Sequence, residues 1–103
     1  MDKQRSAEFL QTMTSVMNGG ALALMMSIGH KTGLFDTMSE LEPATSTEIA
    51  GAARLDERYV REWLSALTAG GIIDHDADAG TFHLPPEHAG LLTRAAGPLN
   101  LTT

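Results

Sequence analysis

The 103-residue sequence has no cysteine. That excludes disulfides and thiolate metal sites, and it suits a reducing, cytoplasmic compartment. Cations are also scarce. Seven Lys and Arg stand against 13 Asp and Glu, a formal net charge of −6, which disfavours a polyanionic partner held by charge alone. Long apolar runs are missing too. The longest near-continuous one, Ala21 to Ile28, falls far short of the roughly 20 residues of a bilayer span. Glu8 and many polar residues precede it and no A-x-A site follows, so it is a poor secretory signal. Without such a signal, the glycosylation pattern Asn100-Leu101-Thr102 carries no weight. There is no P-loop, no G-x-S-x-G and no G-x-G-x-x-G. The strand, glycine turn and helix N-terminus of a Rossmann-type cofactor site are equally lacking. No catalytic, cofactor-binding or metal-ligating residue is therefore expected in this stretch.

What is present is a well-marked stretch from Ala44 to Leu84. Thr45 and Glu48 have the spacing of a capping box at a helix start. Asp56 suits the N-cap of a second helix, and Leu55 and Val60 can staple across it. Val60, Trp63, Leu64 and Leu67 fall on one face of that helix, which Gly70 or Gly71 can close. Two β-like runs follow, Ile72 to Asp76 and Thr81 to Leu84, joined by the turn residues Asp78-Ala79-Gly80. Helix, turn, helix and hairpin make a winged helix-turn-helix. The fold class is thus mainly α with a small β-hairpin, one domain over 1–103.

Residues 1–32 are expected to form apolar N-terminal helices. Phe9, Met13, Val16 and Met17 share one helical face, and Asn18-Gly19-Gly20 predicts a break or hinge. Beyond it, Leu22, Leu24, Met25, Met26 and Ile28 leave the next helix apolar on nearly every side, more than a small winged helix covers. Such a surface predicts a homodimer whose interface includes Phe9, Met13, Met17, Leu22, Leu24, Met25, Met26 and Ile28. His30 and Lys31 suit a helix C-terminus closed by Gly33. Leu34, Phe35, Met38 and Leu41 predict a short amphipathic helix stopped by Pro43. Pro85-Pro86 starts a last helix, Gly97-Pro98 breaks the chain, and 85–103 has the character of a linker towards an absent domain.

Other candidate chemistry competes with plainer structure. Asp74-x-Asp76-x-Asp78 resembles the front of a calcium loop, but Ala79 and Pro85 stand where that loop needs Gly and Glu, and a polar hairpin tip explains it better. His75, His83 and His88 lack i, i+4 ligand spacing, and strand alternation accounts for the first two. A Met-lined ligand pocket between the N-terminal helices and the winged helix competes with plain core packing. DNA reading would use Arg58 and Arg61, with Thr45 at the first helix start. Against it, residues 44–70 carry three arginines and four carboxylates, net −1, and the wing carries Asp74, Asp76 and Asp78 without a cation.

Gly33-Leu34-Phe35-Asp36, Thr45 to Ala50, Tyr59 to Leu64, Gly70 to Ile73 and Thr81 to Ala89, in this order and spacing, resemble the N-terminal domain of class I S-adenosylmethionine-dependent methyltransferases. The likeness points to the actinobacterial branch whose members are sometimes labelled transcriptional regulators. It covers nearly the whole chain from about Ala21. The resemblance implies a dimerisation module whose first helices swap or pack against a partner subunit and help wall a small-molecule substrate pocket. It also implies that S-adenosylmethionine binding and catalysis belong to a following Rossmann-like domain, which this sequence lacks. The expected function is therefore a non-catalytic dimerisation and substrate-lid domain. The alternative is a winged-helix DNA-binding transcriptional regulator.

Overall fold

In the computed structural model, residues 2–93 are described. The order is α1 (Lys3–Thr32), α2 (Leu34–Ser39), α3 (Ser46–Ala53), α4 (Glu57–Ala69), β1 (Asp74–Asp76), β2 (Thr81–His83) and α5 (Pro86–Leu92). The expected elements 94–103, including the Gly97-Pro98 break, lie outside the described residues.

The N-terminal segment differs from the expected pair of helices. α1 is one helix of 30 residues that runs through Asn18-Gly19-Gly20 without a break. Glycine lowers helix propensity by about 1 kcal/mol per residue but does not forbid the helical conformation. Here the ladder is continuous, and Ala21 to Met26 beyond the pair are good helix formers. The ends are well defined. The Asp2 side chain accepts from the Arg5 backbone N–H, and Gly33, at φ 77°, closes the helix with its N–H on the His30 carbonyl. His30 and Lys31 occupy the last turn, where cations suit the helix dipole.

The helix-turn-helix follows its local signals. Thr45 and Glu48 form the capping box of α3, each side chain satisfying the other's backbone N–H. Asp56 caps α4 by accepting from the Arg58 and Tyr59 N–H groups. The Ser46 hydroxyl donates to the Glu57 carboxylate, so the first residues of the two helices are tied directly. Val60, Trp63, Leu64 and Leu67 are all buried. They meet Leu34, Phe35 and Met38 of α2, Ile49 and Ala50 of α3, and Ile73, Leu84 and Leu92 in one core. Each such large side chain contributes about 1.5–3 kcal/mol on burial.

The wing is shorter than its apolar runs predict. Ile72 and Ile73 bond back to the Leu67 carbonyl, so β1 starts only at Asp74, with Gly71 rather than Gly70 in the left-handed region. β1 and β2 pair antiparallel, with His75 opposite Phe82. A third contribution comes from before the helices: Ala44 bridges Phe82, each N–H donating to the other's carbonyl at 3.0 and 2.7 Å. That pairing attaches the hairpin to the body. The hairpin tip is a polar turn in which an Asp76 carboxylate oxygen accepts from the Asp78 and Ala79 N–H groups.

Candidate functional site

The surface that the fold leaves most conspicuous is one side of α1. Its last third is anchored. The Trp63 indole N–H donates to the Met25 carbonyl at 2.8 Å, and the Trp63 and Phe35 rings, 5.2 Å apart, close over Gly29. A Cβ at Gly29 would lie 2.6 Å from the Trp63 ring and 2.7 Å from the Phe35 ring, so only glycine lets the three elements meet this closely. Leu22, Met25, Met26 and Ile28 pack partly against the core beside this contact. Before Leu22, every described residue of α1 is exposed.

The eight residues expected at an interface therefore divide. Leu22, Met25, Met26 and Ile28 are turned partly to the chain's own core. Phe9, Met13, Met17 and Leu24 stand 66, 39, 68 and 62% exposed. Two more belong with the exposed group: Val16, which the helical spacing already places on that face, and Leu10, which the expected break at Gly19-Gly20 leaves out. On one unbroken helix, Leu10, Met17 and Leu24 recur at seven-residue intervals, as do Phe9, Val16 and Ala23, while Met13 and Gly20 fill the positions between. That is the spacing of a helix-pairing seam. At 3.6 residues per turn it lies nearly opposite the side carrying Leu22, Met25 and Gly29. α1 is two-faced, with one face spent on its own subunit and one unspent.

Where α1 leaves the body, Leu22 and Met25, the small residues Ala66 and Ala69 of α4 and its cap Gly70 line an apolar groove of about 440 Å³. A smaller cleft of about 210 Å³ involves Met26, Ile72, His88 and Leu91. The His88 Nδ1 lies 2.7 Å from the Ile72 carbonyl. A carbonyl can only accept, so Nδ1 carries the proton and the ring ties α5 to the α4–β1 turn. His75 stacks on Phe82 at 4.4 Å. Among the described residues, no three His, Asp or Glu side chains gather in a way that could hold a metal ion, and no helix is long and apolar enough to cross a membrane.

The helix-turn-helix surface is occupied by its own structure. Thr45 serves the capping box. Arg58 pairs with Glu62 at 3.5 Å and Arg61 with Glu57 at 3.9 Å, both i, i+4 on α4. The arginines that would approach a phosphate backbone each stand beside a carboxylate of the same helix. The Glu48 carboxyl is held below its ordinary pKa by the Thr45 backbone N–H and then by the Thr45 hydroxyl.

The chain belongs to the Rv2258c-like winged HTH domain family. The family model matches residues 20–94, which leaves the outer half of α1 outside the match. No curated protein matches the chain. Among solved structures, the winged HTH domain is similar to PigF with SAH, at 26% identity and TM-score 0.68, over 90% of this chain and 25% of that one. It is also similar to the mitomycin 7-O-methyltransferase MmcR, at 23% identity and TM-score 0.75, over 88% and 26%. Human N-acetylserotonin methyltransferase in complex with SAM has the same fold, at 14% identity and TM-score 0.71, over 90% and 26%. The chain spans about a quarter of the length of each of these structures. It is a winged HTH domain resembling the N-terminal domain of S-adenosylmethionine-dependent O-methyltransferases.

Proposed function

We propose that this chain is the dimerisation and substrate-lid domain of an S-adenosylmethionine-dependent O-methyltransferase that acts on a small molecule. The observation that carries this reading is the unspent face of α1. Phe9, Leu10, Val16, Met17 and Leu24 are each more than 60% exposed along a single helix. Contiguous exposed apolar surface of this kind marks an interface. Methyl transfer and cofactor binding belong, on this reading, to a Rossmann-like domain outside the 103 residues. The groove at the α1–α4 junction supplies the apolar wall of the acceptor pocket. Regulation of transcription through DNA gains no support from α4, whose arginines are paired along their own helix, or from the acidic wing.

Light scattering on the 103-residue chain at tens of micromolar tests the assembly half of this reading. A homodimer is expected, burying about 800 Å² or more per partner, and Leu10→Asp or Met17→Asp is expected to yield a folded monomer. A well-folded monomer from the unmodified chain would refute it. For the enzyme half, the reading frame that follows residue 103 should encode a glycine-rich strand-turn-helix.

A further inference from the structure

We infer that two copies of α1 pair antiparallel through their outward faces, about a two-fold axis passing between Val16 and Met17. This rests on reading the chain as a dimerisation module and adds which surfaces meet and in what register.

The outward face is self-complementary when reversed. An antiparallel pairing centred between Val16 and Met17 sets Met13 level with Gly20 of the second copy and Phe9 level with Leu24 of the second copy. Leu10 then lies level with Ala23. Large side chains thus fall against small ones at two of these levels, and Gly20, whose Cβ position has nothing within 4 Å in its own subunit, receives the flexible Met13. The ends agree in charge. Asp2 comes level with Lys31 of the second copy, so an anion meets a cation at both ends of the seam. A parallel pairing does the reverse: it sets Asp2 against Asp2, Lys31 against Lys31 and Gly20 against Gly20, with like charges at both ends and a void between. The winged-helix bodies do not obstruct the antiparallel arrangement. Each packs on the face of α1 that carries Leu22, Met25 and Gly29, nearly opposite the seam. Because the pairing is isologous, each seam covers its copy and the assembly closes at two.

The absence of cysteine from the sequence makes the register directly testable by single-cysteine cross-linking under mild oxidation. Across the proposed axis, two copies of residue 16 come within the roughly 4.4–6.8 Å Cα separation that a disulfide spans. Two copies of residue 24 stand about 22 Å apart along the helices at 1.5 Å per residue. Val16→Cys is expected to form a covalent dimer, Leu24→Cys is not, and the double variant Met13→Cys with Gly20→Cys is. All of these positions are exposed, so the fold of each variant can be confirmed by circular dichroism. Cross-linking of Leu24→Cys would overturn the register. So would an uncross-linked Val16→Cys in a chain that light scattering finds dimeric, and in both cases the dimerisation reading stands. A monomeric unmodified chain would overturn both.

Discussion

Gly29 is the point at which three elements depend on one missing side chain. Trp63 and Phe35 fill the space where a Cβ would stand, and the indole N–H donates to the Met25 carbonyl of α1 at 2.8 Å. Gly29→Ala is expected to destabilise the domain by about 1–3 kcal/mol through overpacking. Gly19→Ala, on the same helix with open space around it, is expected to stabilise it by up to about 1 kcal/mol. Thermal denaturation of the two variants should move the midpoint in opposite directions. Nothing in the local helix pattern distinguishes these glycines, because the difference is made by Phe35 on the next helix and by Trp63 far along the chain. Glu48 shows the converse, a role legible from spacing alone. Its folded pKa is depressed by Thr45, so its contribution to stability is present above the ordinary glutamate pKa and is lost as pH falls through the lowered value. Glu48→Gln should lower stability slightly at neutral pH, leave low pH little changed, and so flatten the acid limb of a stability–pH profile in that window.

Among the elements, those defined by local chemistry were legible. The caps of α3 and α4, the buried stripe of α4 and the proline start of α5 each follow from a few neighbouring residues. Asp56→Ala should cost about 1 kcal/mol by removing two backbone contacts at the α4 start, measurable by urea titration. The Ala44–Phe82 bridge was not legible, since a pairing across 38 positions leaves no local signature. The continuity of α1 was hidden by giving Gly19-Gly20 more weight than helix cooperativity allows, and with it went Leu10 and the seven-residue seam. α4 also carries the DNA question. Its arginines are offset by Glu57 and Glu62, so gel shifts near physiological salt should show only weak, sequence-independent association that falls with salt. A tight complex with one sequence, lost in Arg58→Ala or Arg61→Ala, would reverse that conclusion.

At the scale of the whole molecule, the described residues contain only a two-stranded sheet and no glycine turn leading from a strand into a helix. Isothermal titration of the 103-residue chain with S-adenosylmethionine is expected to show no saturable binding at micromolar concentration. The two faces of α1 have a further consequence for how this chain becomes ordered. From Met25 to Thr32 the helix is held by its own subunit, but its first five turns have no core beneath them, and most helical stability in proteins comes from such packing. Their order would then be supplied by the second chain, and completing the fold becomes a second-order process. Amide hydrogens before Gly20 should exchange faster on dilution, while those from Met25 onward keep a rate that does not depend on protein concentration.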